Sequence, residues 1–268
     1  MMISDQKIQE FHTDGVTLLK GVLTDWVEIL RAGIEKNMAS PGPYVRDYDS
    51  QKEGRFFGDF CNWSRIGEYE KFVFQSPAAD IAGQLMKSRQ VRLFHEHVLV
   101  KEPKTEIPTP WHHDQPYYCV DGRQNCSLWL ALDHVSRETA VEFVSGSHRW
   151  GKWFKPERFD RSSLYENDPS ERVPDIDSAK DQYKILGWEV QPGDAIAFHF
   201  LTVHGAPANR SKSVRRRAFS SRWVGDDATF AVRQGATSPP FPGCHLKHGE
   251  ALRGPEFPLV RGEPCHGS

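Results

Sequence analysis

The chain has 268 residues, of which 38% are hydrophobic, and its formal net charge is −2 at pH 7. A chain of this length and composition can bury a substantial core, and its near-zero charge favours neither nucleic acid nor an anionic membrane as a partner. No apolar run approaches membrane-spanning length, and the first residues lack the basic and apolar regions of a signal peptide. Five scattered cysteines without a CxxC pair indicate reduced thiols, so we expect a cytoplasmic protein.

The first part of the chain, about residues 1–89, is predicted to be mainly helical. Amphipathic periodicity predicts three helices, at residues 3–11, 24–37 and 77–87. Between them, residues 16–23 predict a strand, and residues 40–75 show no clear periodicity.

From residue 90 onward the pattern changes to strands. Residues 91–101 alternate, residues 126–135 form the nearly continuous apolar run of a buried strand, and residues 215–224 alternate again. Two further strands are expected around the Pro192-Gly193-Asp194 turn. Residues 150–184 are polar and aperiodic, and a stretch of that length is typical of a functional lid.

These elements predict one domain over residues 1–268, because neither an internal repeat nor a linker is present. Several strands with short turns after a helical start favour a jelly-roll core buttressed by helices. We expect the helical part at about 1–89, the core at about 90–225 and an irregular tail at about 226–268. In that tail, Cys244, His245, His248, Cys265 and His266 are spaced too irregularly for a zinc site, so a loose tail is preferred.

Two His-x-Asp pairs occur, and their local settings separate them. His12 and Asp14 lie at the end of the first predicted helix, where residues two apart point in different directions. His112 and Asp114 lie in an aromatic segment predicted to be a short strand ending at Pro116. Alternation along a strand places those two side chains on one face and His113 on the other. The second pair is therefore the candidate for metal binding, and the first is expected to be a surface feature.

A metal site follows when His204 is added to His112 and Asp114. Two imidazoles and one carboxylate suit a redox-active ferrous ion with open coordination positions. Eleven residues after His204, Arg215 supplies a fixed positive charge that could hold a dicarboxylate co-substrate. A metal with open positions beside an anchor for an acid indicates oxidative catalysis.

From about residue 11 to about residue 223, the chain resembles the phytanoyl-CoA dioxygenase family of Fe(II)/2-oxoglutarate-dependent oxygenases. Four segments carry the resemblance: residues 11–16 (FHTDGV), 111–114 (WHHD), 146–148 (GSH) and 204–209 (HGAPAN) leading to Arg215. The resemblance implies a double-stranded β-helix, in agreement with the strand pattern. It also implies that His112, Asp114 and His204 bind Fe(II), with 2-oxoglutarate and O2 as co-substrates.

The resemblance further implies the residues around 2-oxoglutarate. Arg215 would pair with its distal carboxylate, while Arg217, on the same strand face, is the alternative and Arg216 should face away. Thr109 would donate a hydrogen bond to 2-oxoglutarate. Trp129 would border the co-substrate pocket, although a core tryptophan is an equal alternative.

The chain departs from the usual family pattern at several positions. Glu138 and Thr139 replace a common Asn-Gly, Ser145 replaces a proline, and Ala206 replaces a serine that helps some relatives bind the co-substrate. Related halogenases carry Ala or Gly at the position of Asp114, so halogenation is not expected here.

The implied reaction is hydroxylation of a small molecule with release of succinate and CO2. The substrate and the oligomeric state stay open. Side chains that could reach the cavity are Arg55, His95, His97, Tyr117, Tyr118, Lys152 and Trp153. Two alternatives are a cupin-like metal enzyme that does not use 2-oxoglutarate and a non-catalytic binding relative. Arg215 argues against the first, and the intact ligand set against the second.

Overall fold

The computed structural model describes residues 2–48, 54–157, 162–209 and 211–263, within which four α-helices form. They are α1 (Asp5–Asp14), α2 (Val27–Ala39), α3 (Gly67–Gln75) and α4 (Ala78–Met86). The Ser4 hydroxyl caps α1 by accepting a hydrogen bond from the Lys7 amide, and Gly15 ends the helix at a φ of 78°, which glycine adopts without steric cost. Helices α1, α2 and α4 confirm the three predicted helices. None of the described helices is long and apolar enough to cross a membrane.

Most strands belong to two antiparallel sheets. In chain order they are β1 (Val16–Leu19), β2 (Arg46–Tyr48), β3 (Phe56–Phe60), β4 (Val91–Lys101), β5 (Thr109–His112), β6 (Val120–Asp121), β7 (Asn125–Ala131), β8 (Glu142–Val144), β9 (Ile185–Leu186), β10 (Ala195–Phe198), β11 (His204–Ala206), β12 (Arg216–Val224), β13 (Thr229–Phe230) and β14 (Leu259–Arg261). The large sheet has the order β1-β10-β7-β12-β4-β3-β2, with β14 also paired to β4. The small sheet has the order β5-β11-β8-β9, and β13 pairs with β6 separately.

The two sheets share a core, which confirms the predicted jelly roll. On its outer face the large sheet packs against the helices through residues such as Leu30, Ile81 and Phe219. On its inner face Phe198 and Ala218 pack against Phe143 of the small sheet. Beside this inner core lies a cavity of about 810 Å³, lined by residues of both sheets. Its volume is within the range of small-molecule sites.

The N-terminal part is not only helical, and this corrects the prediction for residues 40–75. Strands β2 and β3 and helix α3 lie within that stretch. Strand β3 is buried at every position, so it lacks the alternation by which a half-buried strand is recognised. As a result, β1, β2 and β3 extend the large sheet, and two of them contribute to the cavity.

The C-terminal segment also differs from the irregular tail that was predicted. Strand β14 pairs with β4, and Phe257 is fully buried and stacked on Phe94, with 5.7 Å between ring centroids. Cys265 and His266 lie outside the described residues, and no metal-ligating group forms around His245 or His248 within them. Around the Pro192-Gly193-Asp194 turn, only β10 forms as predicted, because the preceding segment makes just an isolated bridge to Val135.

Candidate metal centre and its cavity

Three side chains of the small sheet and its flanking turn converge on one point. His112 ends β5, His204 begins β11, and the two residues are paired across the sheet. The ligand atoms of these histidines and of Asp114 all lie within 4.8 Å of one another, and His112 Nε2 is 3.6 Å from Asp114 Oδ1. The structure thus brings together the three ligands that the sequence predicts.

A turn, rather than a continued strand, places Asp114 beside His112. Strand β5 ends at His112, before the predicted end at Pro116, and Asp114 adopts helical backbone angles (φ −75°, ψ −39°). Its amide donates a hydrogen bond of 2.7 Å to the carbonyl of Phe200, which fixes the turn against the chain. His113 points elsewhere, because its Nε2 accepts a hydrogen bond of 2.9 Å from the amide of Phe154. It is therefore a packing residue, as expected.

Backbone hydrogen bonds orient both histidines for metal binding. His112 Nδ1 lies 2.8 Å from the carbonyl of Pro110, and His204 Nδ1 lies 2.9 Å from that of Thr202. A carbonyl only accepts, so each Nδ1 carries the proton and each Nε2 keeps its lone pair. Burial and the neighbouring His112 lower the pKa of His204 to about 3, which keeps that ring neutral. These donors fit a divalent transition-metal ion.

The carboxylate of Asp114 stays ionised although it is buried. Burial alone would raise its pKa, but the Arg222 guanidinium and His112 hold it well below its usual range. Arg222 Nε lies 3.5 Å from Asp114 Oδ2, and the Ser127 hydroxyl donates to the same oxygen at 3.4 Å. Oδ2 is therefore held by the protein, and Oδ1 faces His112 and the metal position.

The other His-x-Asp pair is a surface feature, as predicted. Asp14 accepts hydrogen bonds from Ser145 and from Lys184, and His12 bonds through its backbone carbonyl to the His148 ring. Across the described ranges, the group at His112 is the only one in which three or more histidine, cysteine or acidic side chains come close enough to hold an ion.

Among the three consecutive arginines of the 2-oxoglutarate prediction, the one that lines the cavity is not Arg215. Arg215 forms ion pairs with Glu35 and Glu102 at 2.9 and 2.8 Å, and Arg217 pairs with Asp133 at 2.8 Å. Neither lines the cavity in the described structure, whereas Arg216 does. The expectation that Arg216 faces away is therefore wrong, and Arg215 and Arg217 point away from the cavity.

The pairing of β12 with β4 explains this difference. Arg216 lies opposite Lys101, Ala218 opposite Leu99, and Ser220 opposite His97. These six residues alternate with residues on the helical side of the sheet, and all six line the cavity. Because the three consecutive residues are all arginine, the sequence does not indicate which of them faces the cavity. Only the pairing with β4 determines which one points inward.

Arg216 and Lys101 form a cationic end of the cavity. Arg216 is buried, donates a hydrogen bond to the carbonyl of Thr139, and has a pKa lowered to about 10 by its burial. Lys101 Nζ donates to the carbonyl of Ile107 at 2.9 Å and to the Thr109 hydroxyl at 3.3 Å. Burial and the charge of Arg216 lower the pKa of Lys101 well below its usual value. The charged guanidinium of Arg216, with the Lys101 amine as a neighbouring hydrogen-bond donor, favours binding of an acid.

Thr109 and Trp129 both line the cavity, and their contacts with the co-substrate stay predictions. Trp129 also packs in the core between the sheets, so both of its predicted settings apply. Ala206, where some relatives have serine, lines the cavity too.

Other predicted cavity residues divide into two groups. His95, His97, Tyr117 and Tyr118 line the cavity. Arg55 instead pairs with Asp47, Lys152 pairs with Glu171, and the exposed Trp153 lies under Arg233. Sequence reasoning missed Lys101 and Arg222, although Lys101 continues the alternation of His95 and His97 along β4.

The segments around Gly15 and Gly146 support the metal site from outside. The Gly15 carbonyl accepts hydrogen bonds from the His199 amide at 2.9 Å and from the Thr202 hydroxyl at 2.7 Å. The Ser147 hydroxyl accepts from the Val203 amide at 2.8 Å. These bonds fix the chain immediately before His204.

Comparisons with known proteins agree with this site. The family model described as phytanoyl-CoA dioxygenase (PhyH) matches residues 11–218. A probable phytanoyl-CoA dioxygenase of Caenorhabditis elegans is 24% identical over 186 residues, which cover 67% of this chain. The match spans 57% of that relative's length.

Solved structures of similar fold include enzymes that depend on α-ketoglutarate or were solved with it. The α-ketoglutarate-dependent carbocyclase SnoK of nogalamycin biosynthesis is 25% identical with a TM-score of 0.72, and 96% of each chain is covered. The epimerase SnoN, solved with Fe3+, α-ketoglutarate and nogalamycin RO, is 22% identical with a TM-score of 0.75, over 96% of this chain and 98% of its own. EctD from S. alaskensis, solved with 2-oxoglutarate and 5-hydroxyectoine, is 19% identical with a TM-score of 0.69. The match covers 95% of this chain and 89% of EctD.

The family model covers most of the chain, including β5 and β11 with their histidines. The chain therefore belongs to the phytanoyl-CoA dioxygenase family.

Proposed function

We propose that the protein is an Fe(II)- and 2-oxoglutarate-dependent oxygenase that hydroxylates a small organic molecule and releases succinate and CO2. The observation that carries the proposal is that one cavity contains both the His112, Asp114 and His204 set and the buried Arg216, with Lys101 beside it. A two-histidine, one-carboxylate set leaves coordination positions open for co-substrate and oxygen. Family membership and the solved structures with 2-oxoglutarate support the same class.

In this proposal, each side chain of the site has a defined task. His112, Asp114 and His204 hold the iron, and the bound iron supplies oxygen activation coupled to decarboxylation of 2-oxoglutarate. Arg216 replaces Arg215 as the partner of the distal carboxylate, because its guanidinium is inside the cavity and stays charged.

The residues between the metal site and Arg216 form an apolar channel for 2-oxoglutarate. Leu99 and Ala218 lie on the large sheet between the two ends, and Val141 and Ala206 line the cavity from the opposite side. These side chains exclude water around the carbon chain of a dicarboxylate and strengthen its ion pair with Arg216. Lys101 donates a hydrogen bond to the Thr109 hydroxyl and holds it in place.

The test measures succinate formation. Protein purified without oxygen is loaded with Fe(II) and 2-oxoglutarate and then exposed to air, with and without candidate substrates. We expect succinate and CO2, and product mass spectrometry distinguishes added oxygen from cyclisation or epimerisation. If wild-type protein never yields succinate and 2-oxoglutarate never binds, the proposed class is wrong.

A pair of variants tests the arginine. Arg216→Ala should raise the 2-oxoglutarate concentration needed for half-maximal turnover by about tenfold to hundredfold, because a hydrogen-bonded ion pair is lost. Arg215→Ala should change it by less than about threefold, because Arg215 pairs with two acidic residues outside the cavity. Equal effects of the two changes would contradict the assignment.

A further inference from the structure

We propose that the substrate of this oxygenase is an aromatic acid, with its ring on the Gly58 floor of β3 and its anionic group paired with Arg46. This inference rests on the proposed function, since it concerns the substrate half of the same cavity. Arg46, Gly58 and the flanking Phe56 and Phe60 all line the cavity, and Phe56 borders the end that holds Lys101 and Arg216.

The preference for an anionic group on the substrate is inferred from Arg46. Within the described parts of the chain, no carboxylate pairs with it, and its guanidinium donates a hydrogen bond to the carbonyl of its neighbour Val45 at 3.1 Å. Its guanidinium carbon lies 6.0 Å from the centroid of the Phe60 ring. By contrast, Arg55 across the same hairpin is held by Asp47 through two hydrogen bonds of 2.8 and 2.6 Å. Among the described residues, Arg46 therefore offers an exposed guanidinium without a carboxylate partner at the cavity.

The other lining charges favour an anion over a cation. Arg216 and Lys101 are engaged with oxygen atoms of the protein, and Arg222 contacts Asp114 and Tyr118. Two acidic residues line the cavity among the described residues. Asp114 belongs to the metal site, and the carboxylate of Glu157 lies 2.8 Å from Arg172. Among the described residues, a cationic substrate would find no free acid in the cavity, whereas an anion finds Arg46 and Lys155.

The preference for an aromatic ring in the substrate is inferred from the sequence of β3. Phe56, Gly58 and Phe60 are alternate residues, so they share the face that lines the cavity. An added Cβ at Gly58 would lie 3.2 Å from His97 Nε2, with the next contacts at 3.7 and 3.8 Å. The glycine therefore leaves only a narrow gap between the two phenyl rings, bounded closely by the imidazole of His97. Tyr44 stacks on Phe60 at 5.5 Å and 9°, which holds one wall of the gap.

Register places the charge beside this gap. Arg46 is the direct partner of Gly58 across the β2–β3 hairpin, and Leu99 is its partner on the other side. His97 completes the floor, and burial followed by the nearby Arg222 lowers its pKa to about 3, so it is neutral. A planar apolar body on Gly58 can thus place an acidic group at Arg46 while it remains in the cavity that contains the metal ligands.

The experiment compares 2-naphthoate with its neutral analogue 2-naphthamide. Both are titrated by calorimetry, without oxygen, into protein loaded with Fe(II) and saturating 2-oxoglutarate, so that the Arg216 end is occupied. We expect 2-naphthoate to bind about fivefold to tenfold more tightly than 2-naphthamide, because only the acid forms a charge-assisted pair. Octanoate, an acid without a ring, should bind more weakly than 2-naphthoate.

Three variants separate charge from shape. Arg46→Gln should reduce the acid-to-amide ratio to less than about twofold. Gly58→Ala should weaken both naphthyl probes by about threefold or more and preserve their ratio, because the added methyl occupies the gap. Arg55→Gln, on the same hairpin but already paired with Asp47, should match wild type.

The outcomes distinguish this inference from the proposed function. A wild-type protein that binds 2-oxoglutarate but binds the acid and the amide equally would overturn the inference alone. Equal binding of octanoate and 2-naphthoate, or displacement of 2-naphthoate by 2-oxoglutarate, would also overturn it. Failure to bind 2-oxoglutarate would instead count against the proposed function, and the titrations of the iron-loaded protein would still test Arg46.

Discussion

At the scale of single residues, the charge of Asp114 is the most demanding feature of the metal centre. A buried carboxylate is costly unless it is paired or hydrogen-bonded. Arg222 and Ser127 both contact its Oδ2, so the carboxylate keeps its charge and a fixed orientation before any ion binds. Arg222 in turn donates to the Tyr118 hydroxyl at 2.5 Å, which fixes the guanidinium.

Arg222→Gln should therefore weaken metal binding by about tenfold to hundredfold, the usual cost of losing a partner that orients a ligand. The measurement is the dissociation constant for Mn(II), obtained by equilibrium dialysis in the absence of 2-oxoglutarate. Arg216→Gln is the matched control, because it removes another buried arginine of β12 that does not touch a ligand. Arg222→Lys checks folding and should recover part of the affinity. Unchanged Mn(II) binding by Arg222→Gln would show that Asp114 does not depend on this arginine.

The residues of the site were predictable to different degrees. His112, Asp114 and His204 were predictable from their spacing and local patterns, because a ligand set needs particular side chains. The arginine was not, because Arg215, Arg216 and Arg217 are chemically identical and their facing depends on the pairing with Lys101 and Val100 of β4. Arg46 was also missed as a cavity residue, because β2 has only three residues and shows no pattern of its own.

At the scale of elements, Asp133 joins three parts of the fold near the cationic end of the cavity. Its carboxylate accepts two hydrogen bonds from the Arg217 side chain and one from the Arg217 amide, and it pairs with Arg31 of α2 at 3.2 Å. The Asp133–Arg217 pair fixes the start of β12. It therefore also fixes the direction of the neighbouring Arg216, which points into the cavity. Burial alone would raise the pKa of Asp133, but Arg217 and Arg31 hold it below its usual value.

Asp133→Asn should destabilise the protein by about 2 kcal/mol at pH 7, because two arginines lose a partly buried partner. A carboxylate whose pKa is depressed in the folded state contributes stability that is present above its unfolded-state pKa, about 3.9. That contribution is lost as the pH falls through the lower folded-state value. The difference in unfolding free energy between wild type and variant should thus be constant above about pH 5 and shrink below about pH 4.

Urea denaturation at several pH values measures that difference. The exposed Asp181 supplies the control, and Asp181→Asn should follow the wild-type pH profile. A difference that grows with acidification would contradict the assigned sign of the pKa shift.

At the scale of the whole molecule, the fold class was predictable and the extent of the large sheet was not. Alternation in β4 and the apolar run of β7 indicate a β core, because each strand carries its own periodic pattern. Strands β2, β3 and β14 are short or uniformly buried, so their place in the sheet depends on long-range pairing with β4. For the same reason, the sequence does not indicate that the C-terminal segment joins the large sheet. Its partners in β4 lie more than a hundred residues earlier in the chain.

The C-terminal segment should consequently contribute to global stability. Phe257 is fully buried, stacks on Phe94 of β4 and contacts Phe241 with 4.8 Å between ring centroids. Phe257→Ala should lower the unfolding free energy by about 3–5 kcal/mol, the usual cost of removing a buried phenyl ring. Val232→Ala, at a 62% exposed position of the same segment, should change it by less than about 0.5 kcal/mol. Urea unfolding followed by tryptophan fluorescence checks both, and an unchanged Phe257→Ala transition would mean that this segment unfolds independently of the sheet.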